Sequence, residues 1–166
     1  QQSGAADIYF FIDDITVSAA VVPTTIPSLT ATSVNPTFTE NGSAVNLFSS
    51  AAAATNDTGQ HFTGMTLTVT NVSNGASEVM TIGGTNVSLT NGSSGSIAGI
   101  GNYSVSVASG TGTATVTLSG MSRSDAQMSA LINGITYQNT SEDPGSGSRV
   151  VTITGLVDSG ASNNSA

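Results

Sequence analysis

The chain has 166 residues and a formal charge of −8, with ten carboxylates against two guanidiniums, and charged residues make up only 7% of it, where about 25% is usual. Phosphate binding needs clustered Lys and Arg, so nucleic acid is excluded as an expected partner, and an anionic membrane face is excluded on the same ground. Cysteine is absent, which argues against a disulfide-stapled secreted domain, and no run approaches the ~18 apolar residues that span a bilayer, so no membrane insertion is expected.

From the N-terminus, Gln1-Gln2-Ser3-Gly4 lacks the basic region and apolar stretch of a secretory leader, so a mature or excised chain is expected. Residues 1–20 then form an apolar segment unlike anything after it. In Asp7-Ile8-Tyr9-Phe10-Phe11-Ile12-Asp13-Asp14-Ile15-Thr16-Val17, strand alternation puts Ile8, Phe10 and Ile12 on one face and Tyr9 and Phe11 on the other. A strand apolar on both faces needs cover on both. Residues 21–28 follow as a linker in which Pro23 and Pro27 fix their own φ and bias the residues before them toward extended geometry. The linker is a semi-rigid spacer.

The body, 29–166, is rich in Thr and Val, whose β-branched side chains suit a pleated surface. It predicts short strands at 29–34, 37–40, 44–48, 63–73, 77–82, 86–90, 102–108, 112–118, 135–139 and 149–157. Period-two alternation is clear in Met65-Thr66-Leu67-Thr68-Val69-Thr70 and in Ala114-Thr115-Val116-Thr117-Leu118. Asn41-Gly42, Asn74-Gly75, Gly83-Gly84 and Asn91-Gly92 mark turns, because Gly and Asn tolerate positive φ. The expected fold class is therefore an all-β antiparallel sandwich. One helix interrupts it over Ser122–Ile132, where Met128, Leu131 and Ile132 have helical spacing. Ser122 or Ser124 is its N-cap, and Gly134 its stop.

Several stretches carry a family likeness: Asn35-Pro36-Thr37-Phe38-Thr39-Glu40-Asn41-Gly42-Ser43-Ala44-Val45, Leu67-Thr68-Val69-Thr70-Asn71-Val72, Leu131-Ile132-Asn133-Gly134-Ile135-Thr136-Tyr137-Gln138-Asn139-Thr140-Ser141, Arg149-Val150-Val151-Thr152-Ile153 and Asp158-Ser159-Gly160. On these residues the run from Leu29 to Asn164 resembles the Ig-like, cadherin-like tandem repeats of giant bacterial surface and adhesin proteins. The resemblance implies an Ig-like sandwich, an extracellular place on the bacterial surface and a spacer or adhesive role. It also implies Ca²⁺ at repeat junctions, where Glu40, Glu142, Asp143 and Asp158 stand in matching positions; solvated turn acids are the alternative for those four. Phe11-Ile12-Asp13-Asp14-Ile15-Thr16-Val17 separately looks like the closing strand of a jelly-roll module. In such repeats one more strand follows the 149–157 strand and closes the sandwich, so the body is expected to be one strand short.

Two accounts of the N-terminal segment stay open: the remnant of a preceding β domain, or a strand donated to the next copy through Ile8, Tyr9, Phe10, Phe11, Ile12, Ile15 and Val17. The second makes copies of the chain its own partners in a head-to-tail filament. Catalysis lacks its parts. His61 is the sole imidazole, Gly92-Ser93-Ser94-Gly95-Ser96 has the wrong spacing for a nucleophile elbow, and no catalytic residue is expected. Glycans are a further expected partner class, although Trp is absent and Tyr103 and Tyr137 read as core or corner residues.

Overall fold

The computed structural model describes residues 25–39, 42–160 and 164–166. The expected N-terminal strand and Glu40 lie outside them. The described chain is an all-β sandwich with one α-helix. In order its elements are β1 (Ser28–Ser33), β2 (Val45–Asn46), β3 (Phe48–Ala54), β4 (Phe62–Val69), β5 (Glu78–Ile82), β6 (Thr85–Ser88), β7 (Ser94–Ile97), β8 (Gly101–Ala108), β9 (Thr113–Ser119), α1 (Asp125–Asn133), β10 (Thr136–Asn139) and β11 (Val151–Asp158). One sheet runs β2-β10-β5-β6, the facing sheet β11-β4-β9-β8-β7, and β1 pairs with β3 as a separate ribbon. Every strand pairing among the described residues is antiparallel.

The alternating segments behave as their pattern demands. In β4, Phe62, Met65, Leu67 and Val69 are buried while Thr63, Thr66 and Thr68 are half-exposed. With Val116 and Leu118 of the neighbouring β9 they face Met80 and Ile82 of β5 across the sandwich, in one core that Met128 and Ile132 of α1 also enter. Burying each such side chain contributes about 1.5–3 kcal/mol. Gly83 and Gly84, at φ 56° and 80°, make the two-residue turn between β5 and β6, a conformation that residues with a Cβ resist.

Several boundaries depart from expectation. β4 stops at Val69 rather than 73, because Asn71 takes a left-handed φ of 58°. Thr37–Thr39 is irregular instead of a strand. Two strands go beyond the expected set: the Ala-rich β3, and β7 with its sequence Ser-Gly-Ser-Ile. The helix is capped by Ser124, not Ser122, in a reciprocal box: the Gln127 amide donates to Ser124 Oγ and the Ser124 amide to Gln127 Oε1. Gly134 follows as the C-cap.

Candidate functional site

The edges of the sheets are treated unequally. β3 is paired with β1 on one side only, and on the other α1 lies against it. Asp125, Ser129 and Asn133 stand four residues apart and so share one helix face. Asn133 Oδ1 accepts from the Ala51 amide at 2.9 Å, Ser129 Oγ from Ala53 at 2.9 Å and Asp125 Oδ1 from Thr55 at 3.1 Å. Alternate amides of a strand edge are thus satisfied by helical side chains. Other edges are blunted by brevity or polarity: β2 has two residues, β6 and β7 four each, and β1 is polar and bulged between Thr30 and Thr32.

β11 is the exception. It is eight residues long and ends its sheet beside β4. Residues 164–166 cover only its C-terminal part: Leu156 and Ala166 exchange two backbone bonds of 2.8 and 2.9 Å, and the Asp158 amide donates to the Asn164 carbonyl at 2.8 Å. At the other end the Thr70 amide donates to the Val150 carbonyl at 3.0 Å. Alternation therefore turns the peptide groups of Val151 and Ile153 away from β4. Among the described residues no strand lies against them. Their side chains point inward, opposite Val69 and Leu67, yet remain half-buried.

Beside this bare edge the sandwich is open. A cavity of about 590 Å³ lies between β2 and β10 of one sheet and the start of β11 in the other. Its apolar wall comprises Phe38, Val45, Leu47, Phe48, Tyr137 and Val151. Phe38 meets Tyr137 edge to face, ring centres 6.0 Å apart. The rim is the loop from Pro144 to Val150, and Val150 itself is 55% exposed.

The end of this groove is fixed by a buried charge. Glu78, at the start of β5, is fully buried, and Arg149 clamps it, Nε to Oε2 at 3.2 Å and Nη2 to Oε1 at 3.0 Å. The Ser73 and Asn74 amides donate to Oε1 at 2.7 and 2.9 Å, and the Tyr137 hydroxyl to Oε2 at 2.8 Å. Arg149 also donates to the Gly147 and Pro144 carbonyls. Burial by itself raises the Glu78 carboxyl, but the Arg149 guanidinium, the two amides and the Tyr137 hydroxyl outweigh it and hold the pKa below its ordinary 4.5. Tyr137 is pushed above its usual range by burial and then by the carboxylate it serves. The Arg149 pKa is raised, chiefly by its bonds to Glu78. The clamp ties β5, β10 and the lead-in to β11 together, so the groove rim is pinned to both sheets.

The residues singled out by sequence fall in separate places. Ile8, Tyr9, Phe10, Phe11, Ile12, Ile15, Val17 and Glu40 lie outside the described residues. Glu142 and Asp143 are exposed, beside Asn74, whose Nδ2 donates to the Asp143 carbonyl. Asp158 is buried at the opposite pole, paired in register with Phe62, and its Oδ1 accepts from the Gly160 amide at 2.8 Å. Among the described residues no group of three or more His, Asp or Glu side chains converges. His61 flanks β4 in a loop, where its amide donates to Ser159 Oγ. Tyr103 lies over Gly95 of the neighbouring strand, so close that a Cβ there would sit 2.9 Å from its ring. Sequence reasoning misses Glu78 and Arg149. The available signal is that Glu78 shares its strand face with Met80 and Ile82, where a carboxylate needs a partner.

No protein-family model, curated protein or solved structure matches this chain.

Proposed function

We propose that the chain is a non-catalytic structural subunit of a bacterial extracellular fibre or adhesin, and that copies join head to tail by insertion of the N-terminal strand of one into the open flank of the next. The observation that carries this reading is the bare start of the β11 edge, at Val151 and Ile153, beside an apolar groove, in a molecule whose β3 edge is closed by a dedicated helix face. Strand addition supplies such an edge with ladder hydrogen bonds and fills alternate pockets. The segment 7–17 has the complementary character, apolar on both faces. A contact of this kind does not close on itself, so it propagates as a filament. The scarcity of charge and the resemblance to Ig-like repeats of bacterial surface proteins support the extracellular assignment.

Light scattering and negative-stain microscopy of the full chain, beside one lacking residues 1–20, test the reading. Among the described residues every buried core side chain lies between Ala53 and Leu156, so the deletion leaves that core intact. The full chain is expected to form extended polymers and the shortened one to stay monomeric. Undiminished polymerisation without residues 1–20 overturns the proposal.

A second reading is favoured by one observation, the pairing of residues 164–166 with β11. In it the chain is a self-contained spacer in a giant surface protein, carbohydrate- or Ca²⁺-binding, whose edge is covered by its own C-terminal segment. A full chain that is monomeric at all concentrations supports this alternative.

A further inference from the structure

We propose that the strand filling the flank is residues 8–12 of a second copy, running antiparallel to β11 with Ile8 opposite Ile153 and Phe10 opposite Val151, so that the Phe10 ring occupies the cavity. This rests on the head-to-tail reading above and specifies its interface.

Direction comes first. Every strand pairing among the described residues is antiparallel, and residues 164–166 already run antiparallel along β11, in the row that an added strand would continue. With Leu156 and Asp158 engaged by that segment, the vacant outward peptide groups are those of Val151 and Ile153. A short pairing centred on these two is what the edge admits.

The face comes next. In the donor segment the even positions Ile8, Phe10 and Ile12 give three apolar side chains in a row before Asp14, whereas Tyr9 and Phe11 are closed off at both ends of their own face by Asp7 and Asp13. Burying an unpaired carboxylate is costly, so the even face turns inward. Residues facing the core on the acceptor are Val151 and Ile153, and beyond Val151 the cavity opens between Phe38, Val45, Leu47 and Tyr137. An aromatic side chain opposite Val151 meets that cavity, and Phe10 is the aromatic of the even face. Ile12 then lies toward Phe38 at the rim.

Polarity points to a second copy as donor. Thr25, the first described residue, is anchored by its amide to Asp57 Oδ2 at 2.9 Å, at the pole where β4 begins. Val151 sits at the opposite pole, across the length of β4, which is about 23 Å at ~3.3 Å per residue. An antiparallel donor in this register leaves the Val151 pole at residue 12. Thirteen steps from residue 12 to Thr25 span up to about 45 Å fully extended, so filling the groove of the same body requires those residues to double back along the full length of β4. In the next copy no return is needed, because the donor body stacks on the Val151 pole.

A cysteine-free background makes the interface directly readable. Phe10→Cys and Val151→Cys chains are mixed under mild oxidation, and disulfides are located by peptide mass mapping. Facing positions on paired antiparallel strands have Cα atoms about 4.5–5.5 Å apart, within disulfide range. A dominant disulfide joining position 10 of one chain to position 151 of another is expected, and Ile15→Cys in place of Phe10→Cys should abolish it. Polymers that form without this bond overturn the register while leaving head-to-tail assembly standing. Failure of the full chain to associate at all removes the assembly reading and this one with it. A double variant that closes the bond within one monomer overturns the second copy as occupant. Phe10→Ala in the otherwise native chain gives an independent readout: the concentration for half-assembly should rise at least about tenfold, the loss of a well-buried aromatic being worth more than that, and an unchanged value contradicts a filled cavity.

Discussion

Glu78 stands on the face of β5 that also carries Met80 and Ile82, and all three are fully buried. A carboxylate there survives because five donor contacts surround it. Removing one member of a buried pair strands the other charge, at about 3–5 kcal/mol, whereas replacing both with apolar residues is often near neutral. Arg149→Met alone is therefore expected to destabilise strongly, and Glu78→Leu with Arg149→Met together much less than the sum. Denaturant titration of the four-member cycle measures it, and additive losses would contradict the clamp. The sign of the pH effect follows from the depressed Glu78 pKa. Its contribution is complete above the unfolded value near 4.5 and drains away as pH falls through the folded value. The stability advantage of the native chain over Glu78→Gln should accordingly shrink below about pH 4.5.

At the level of elements, β3 is instructive because its sequence, Phe-Ser-Ser-Ala-Ala-Ala-Ala, has no β-branched residue. Local propensity does not select a strand there; pairing with β1 and the side chains of α1 do. Loss of the Ser129 hydroxyl leaves the Ala53 amide, in a buried position, without its acceptor. Ser129→Ala is expected to cost about 1–3 kcal/mol and to raise amide exchange at Ala53 specifically. Uniform exchange across β3 would argue against the helix as an edge cover. The same element marks the limit of what the sequence discloses. β4, β8 and β9 are legible because Thr and Ser alternate with apolar residues, and α1 because its cap and stop are local signals. β3 and β7 are not, since the forces that make them strands come from chain segments outside their own sequence. The site divides likewise. Glu78 betrays itself by pattern, but its bond to Arg149 spans 71 positions. The cavity is bounded by the edges of two sheets, which no single segment encodes.

For the whole molecule the two poles differ in what they present. Thr25 is held at the Asp57 pole, and the groove opens at the Val151 pole, the polarity that the proposed head-to-tail assembly requires. By occupying Leu156 and Asp158, residues 164–166 would confine the proposed strand addition to the Val151 end. Ending the chain at Gly160 frees those peptide groups and lets a donated strand pair along more of the eight residues of β11. Each added ladder bond contributes roughly 0.5–1.5 kcal/mol, so two of them correspond to roughly a five- to hundredfold lower concentration for half-assembly. On the proposed assembly, the gain is expected only where residues 1–20 are present. Sedimentation velocity over a dilution series, on chains with and without residues 1–20, measures it. Association of the doubly shortened chain would mean that the freed edge pairs with any strand it meets, and that the N-terminal segment is not what the groove selects.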